Sequence, residues 1–187
     1  PGYDTLRLLL CDRAILVEGD SDELIIQRAY LDRYEKLPIH DKVDVISVGT
    51  SFERFAKIAE HQGKEIIVVT DNDGDPDRLN QKYKSYVENE EFRFKACYDS
   101  TVETGDLEIG NQGKKFNYNT LEPKLLKVNT LELFNEIFGT EFDDINRMHI
   151  YMYNNKTDCA LAIFNSSKSI EYPEYIKEAI KPLSEDE

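Results

Sequence analysis

The chain has 187 residues, 40% of them hydrophobic, and a formal net charge of −14. That length supports one sizeable core, and the charge argues against a stand-alone basic nucleic-acid binder. It leaves room for a locally acidic site in which bound cations receive a phosphodiester. No run approaches the roughly 20 apolar residues of a membrane span, and no charged-then-apolar leader opens the sequence, so a cytoplasmic protein without membrane contact is expected. Cys11, Cys97 and Cys159 are widely separated, without CxxC or Cys/His spacing, and read as reduced core thiols.

Residues 1–12 read as a lead-in and residues 13–187 as the domain, with a helical insert or subdomain at about 120–155. Ala14 to Val17 form an apolar run that ends on Glu18 and Gly19. Leu24, Ile25, Ala29 and Tyr30 then recur at a helical period, giving a strand followed by a helix over 22–34. VDVISVG (43–49) precedes SFERFAKIAEHQG, in which Phe52, Phe55, Ala56 and Ile58 to Ala59 mark one face and Gly63 a stop. EIIVVTDND (65–73) precedes a polar helix near 78–89, and FRFKACY (92–98) reads as a fourth strand. Strand-helix units with near-continuous Ile and Val runs predict an α/β fold, a parallel sheet covered on both faces. TGDLEIGNQGKKFNYN reads as loop or hairpin. Helices are expected from 121, 130 (with Gly139 as stop), 143, 156 and 173, and the acidic SEDE tail is expected to fray.

In such a sheet reactive groups gather beyond the carboxyl ends of the strands. Glu18 follows the first strand, Asp71 and Asp73 follow the third, and Asp22 stands one helical turn after Glu18. These four carboxylates have the oxygen chemistry that Mg²⁺ or Mn²⁺ prefers, and two such ions can clamp the attacking and leaving oxygens of a phosphoryl displacement. The competing reading makes the acids helix caps and turn formers. It suits Asp20 and Ser21, but glutamate forms turns poorly and two strand ends share the feature. DNDGDPD is not an EF-hand, because Pro76 and Lys82 stand where that loop needs glycine and glutamate; Asp75 and Asp77 read as a solvated helix entrance. Ser47 and Thr70 are candidates for hydrogen bonding to water or phosphate. Lys114 and Lys115 lie beside Phe116 and Tyr118, a candidate DNA contact through phosphate neutralisation and base stacking, with a solvated hairpin as the alternative. The three histidines are scattered and receive no role.

ILVEGDSD followed later by IIVVTDNDGD resembles the Toprim fold of topoisomerases, primases and several nucleases. More narrowly, the chain is similar to the C-terminal nuclease part of overcoming-lysogenization-defect (OLD) family endonucleases, including the Gabija defence nuclease. The resemblance runs from about Asp4 through the helix near Lys156. It implies Glu18, Asp22, Asp71 and Asp73 as metal ligands, Glu122 of NTLEPKLL as a further one, and Lys156 of NNKTDCALAIF as an essential lysine stabilising charge on the phosphate. On residue chemistry alone Glu122 reads equally as a first-turn acid and Lys156 as a solvated first-turn lysine.

The function so implied is a two-metal DNA endonuclease or nickase, with Glu18, Asp71, Asp73 and Lys156 catalytic, Lys114, Lys115 and Lys156 on DNA, and Ca²⁺ as an alternative or non-productive ion. OLD enzymes carry an ATPase domain ahead of this part, and no Walker A pattern occurs here. A homo-oligomeric full-length protein, a helicase-like partner in the Gabija case and a role in phage defence are further implications. The rivals are an aspartyl-phosphate domain of receiver or phosphatase type, a non-catalytic Toprim interaction module, and a topoisomerase or primase role.

Overall fold

A computed structural model describes residues 2–110 and 113–183 of the protein. The predicted parallel sheet is present with four strands: β1 (Arg13–Val17), β2 (Val43–Ser47), β3 (Glu65–Val69) and β4 (Phe94–Cys97), in spatial order β2-β1-β3-β4. All three pairings are parallel, and Leu16 lies level with both Ile46 and Val68. The crossovers are α2 (Asp20–Tyr34), α3 (Phe52–His61) and α4 (Pro76–Val87).

Both faces of the sheet are buried, and side-chain alternation divides the core in two. Ile15, Val17, Ile67 and Val69 pack with α2 and the C-terminal helices, whereas Ala14, Leu16, Ile66 and Val68 pack with α1 (Gly2–Leu10), α3 and α4. A fully buried side chain such as Leu16 contributes about 1.5–3 kcal/mol by leaving water. The segment read as a lead-in is mostly helix: Leu8 of α1 is buried, and Arg7 is bonded to Asp44 and Glu23.

After β4 the chain crosses as an irregular strap to a short antiparallel hairpin, β5 (Glu108–Ile109) and β6 (Lys114–Lys115). Asn111 and Gln112, within the stretch read as loop or hairpin, and the SEDE tail lie outside the described residues. Five helices follow: α5 (Leu121–Val128), α6 (Leu131–Phe138), α7 (Ile145–Asn154), α8 (Lys156–Asn165) and α9 (Glu174–Ala179). Gly139 ends α6 in the left-handed conformation, which glycine adopts without steric cost. Among these helices α8 packs most extensively on α2, the two running side by side in the same direction. Asp22 and Lys156 lie near their adjoining N-terminal ends, while Arg28 of α2 bonds the carbonyls of Ile163 and Phe164 at the far end of α8.

Candidate metal centre

Parallel pairing places the ends of β1 and β3 side by side. Continuing the alternation one step past each strand sends Glu18 and Thr70 to the α3/α4 face, and the second step past β3 sends Asp71 to the α2 face. Thr70 Oγ1 accordingly donates a hydrogen bond to Glu18 Oε1. Ser47, at the end of β2, donates from Oγ to the carbonyl of Glu18 at 3.4 Å. It does not reach the carboxylate.

On the other face four groups from separate elements interact. Asp22 sits in the first turn of α2 and accepts the backbone N–H of Gly19 at 3.0 Å, so it caps the helix as well as facing the site. The capping expected of Asp20 and Ser21 is thus performed by Asp22, and α2 begins two residues earlier than the periodicity indicated. Glu122, only 6% exposed, accepts from Thr120 Oγ1 at 3.3 Å and pairs with Lys156 Nζ at 3.0 Å.

The charges of this group perturb one another. Burial, opposed by the Gly19 N–H and reinforced by Glu122 and Glu18, pushes the Asp22 carboxyl up to about 6. Burial and then the charges of Asp22, Glu122 and Glu18 raise Asp71 well above the ordinary carboxylate range. Burial opposes the charge of Lys156, yet Glu122, Asp71 and Asp22 outweigh it and hold the ammonium's pKa above its usual value. Tyr175 of α9, which sequence reasoning did not flag, is pushed up by burial and by Asp71, Asp22, Asp99 and Glu122. Its place behind the acids carries no local sequence signal.

Glu18, Asp22, Asp71, Glu122 and Lys156 therefore form one interacting set. Asp73 stands apart from it: its backbone is left-handed (φ 50°), its carboxylate accepts from Asn117 Nδ2 at 3.0 Å, and Arg78 Nη2 lies 3.8 Å away. Asn72 between the two aspartates is buried and donates to the carbonyls of Asp99 and Thr101 at 2.6 and 2.8 Å, which fixes the turn. Among the described residues no three His, Cys, Asp or Glu side chains are already drawn into a metal cage. The donor chemistry nonetheless fits a hard divalent cation. All the donors are carboxylate oxygens, and the mutual repulsion of partly dehydrated acids is what such a cation relieves.

Of the basic loop, Lys114 and Lys115 are exposed, and Lys115 pairs with Glu108 at 3.0 Å. Phe116 is buried against Tyr118, His149 and Tyr153, which withdraws it from the base-stacking role expected of it. The burying partner is α7, whose arrival some thirty residues later has no local signature at Phe116.

The four-stranded parallel sheet, with its acids at the ends of the first and third strands, defines a Toprim-type fold, a class that generally binds divalent metal ions. Residues 9–73, about a third of the chain, match the model of the overcoming lysogenization defect protein-like TOPRIM domain. The fold is shared with solved C-terminal regions of two OLD proteins. That of Xanthomonas campestris pv. campestris is 21% identical, with a TM-score of 0.59 over 93% of this chain and 92% of that one. That of Burkholderia pseudomallei is 18% identical, with a TM-score of 0.60 over 94% of this chain and 98% of that one. No curated protein matches the chain. Among the described residues no helix is long and apolar enough to cross a membrane.

Proposed function

We propose that this domain is a divalent-metal-dependent DNA endonuclease or nickase. The observation that carries the reading is that Glu18, Asp22, Asp71 and Glu122, from four separate elements, lie within electrostatic reach of one another at one edge of the sheet, with Lys156 paired to Glu122. A purely structural role offers no return for gathering partly buried, mutually repelling carboxylates. Glu18, Asp22, Asp71 and Glu122 would hold two Mg²⁺ or Mn²⁺ ions, with Asp73 as a further ligand that gives up Asn117 to reach them. Bound cations supply Lewis-acid polarisation of the phosphate and activation of the attacking water.

The chain's own groups do the rest. The surrounding acids keep Lys156 protonated, and its N–H groups donate to a phosphate oxygen as charge builds there. The N-terminal ends of α2, α5 and α8 meet at the site, and their positive dipole ends favour both the carboxylates and an incoming phosphate. Lys114, and Lys115 once it gives up Glu108, would offer positive charge to a DNA backbone on a chain otherwise too acidic to attract it.

The solved relatives are C-terminal regions of longer proteins. On that ground the domain is proposed to work downstream of an N-terminal ATPase domain, in a homo-oligomeric cytoplasmic protein of phage defence, with a helicase-like partner if the system is Gabija-like. The test is plasmid cleavage in Mg²⁺, Mn²⁺, Ca²⁺ and EDTA by wild type, Glu18→Ala and Lys156→Ala. Nicking in Mg²⁺ or Mn²⁺ that both substitutions abolish supports the reading, and equal activity in all three proteins refutes it. Phosphate incorporation on Asp71 would point instead to an aspartyl-phosphate domain.

A further inference from the structure

Glu18 differs from the other acids of the site because it reaches the sheet edge from the opposite face. Asp22, Glu122 and Lys156 therefore do not position it. Among the described residues its carboxylate has one hydrogen-bond donor, the hydroxyl of Thr70, which engages Oε1 and leaves Oε2 without a partner. Thr70 is itself fixed. It is 6% exposed, its backbone N–H donates to the Cys97 carbonyl at 3.3 Å, and its branched β-carbon restricts the hydroxyl's direction. The pairing follows from the register of β1 on β3, which sets residues 18 and 70 level and on the same side.

We propose that Thr70 is the positioning residue for Glu18: its hydroxyl occupies Oε1 and presents Oε2 as the single oxygen offered to a divalent cation. This deepens the metal-dependent reading above and rests on it. A carboxylate pinned in this way loses less side-chain freedom when a cation arrives, so the hydroxyl contributes to affinity without touching the ion.

The test is a calorimetric titration of the full chain with Mn²⁺ for wild type, Thr70→Val, Thr70→Ser and Glu18→Ala, with melting temperatures in EDTA. Valine keeps the branched shape and the backbone hydrogen bond while deleting the hydroxyl. Thr70→Val should weaken Mn²⁺ binding about tenfold or more, and Thr70→Ser should stay within about threefold of wild type. Both should melt within about 4 °C of wild type without metal. Adding Thr70→Val to Glu18→Ala should weaken binding no further, because Thr70 acts through Glu18.

Unchanged Mn²⁺ affinity in Thr70→Val, or equal loss in the valine and serine variants, would overturn the assignment while leaving the metal centre standing. Absence of Mn²⁺ uptake by the wild-type chain would overturn the metal centre itself and Thr70 with it.

Discussion

The site draws on two regions that place their residues in different ways. Glu18 and Asp71 stand where parallel strands stop, and the register of a buried sheet fixes them before any loop is considered. Glu122 and Lys156 arrive on helices after an irregular strap, and the pose of Glu122 depends on contacts between that strap and α5. The clearest of these is Lys124, 3% exposed, which pairs with Asp99 at 2.7 Å and Glu103 at 2.9 Å. Asn119 adds a second tie, accepting from the Glu103 N–H and donating back to the Glu103 carbonyl. The strand-end half is held by the sheet core, whereas the helix-borne half is held by helix packing, with Leu121, Leu125 and Leu126 of α5 buried, and by added polar ties that can be cut singly.

The largest expected effect lies in the first region. Asp71→Asn should reduce metal-dependent nicking to the level seen in EDTA, yet melt in EDTA no lower than wild type, because it removes a charge disfavoured by burial and by three other acids. A fall of several degrees without metal would show that the charge holds the fold together. In the second region, Lys156→Ala should lower the rate about 10²–10³-fold at saturating metal, the usual loss when one charge-stabilising donor is removed. A change confined to the metal concentration needed for half-maximal rate would reassign the lysine to ligand support.

Lys124→Met probes stability rather than chemistry. It leaves two carboxylates without their buried partner, at a cost of about 3 kcal/mol, or roughly 10 °C in melting temperature. It also has a pH signature. Burial opposes the charges of Asp99 and Glu103, but Lys124, and for Glu103 first Lys127, hold both carboxyls below their ordinary values. Their stabilisation is present above the unfolded carboxylate pKa, near pH 4, and is lost as pH falls through the lowered folded values. Wild-type melting temperature should therefore drop on acidification below about pH 4 more steeply than that of Lys124→Met. Parallel curves would remove the electrostatic account of the strap. The smallest effect is expected of Asn117→Ala, which frees Asp73 from an exposed contact and removes the acceptor of the Asn119 N–H; it should change stability by about 1 kcal/mol in chemical denaturation.

The same contrast explains what could be read from the chain. Near-continuous Ile and Val runs declare buried parallel strands, and the acids at their ends declare an edge, so Glu18 and Asp71 were legible from residues alone. Glu122 and Lys156 were legible only through family resemblance, since a first-turn glutamate and a first-turn lysine are ordinary helix residues and their 3.0 Å contact depends on how α5 and α8 pack. Asp73 shows the limit of spacing arguments. Two residues after Asp71, it points elsewhere because its left-handed backbone and Asn117 turn it outward. The double duty of Asp22, as cap and as site acid, was masked because one carboxylate can satisfy both descriptions.

Arg28 gives the geometry one more consequence. From the middle of α2 its guanidinium donates to Asp32 and to the carbonyls of Ile163, Phe164, Ser166 and Lys168, at and just beyond the end of α8. The two helices behave as the arms of a calliper riveted at Arg28. Its jaws are Asp22, about 9 Å along α2 from the rivet, and Lys156 at the start of α8. The gap between carboxylate and ammonium is thus gauged at a point remote from either, and loosening that rivet would put an intact set of site residues out of gauge.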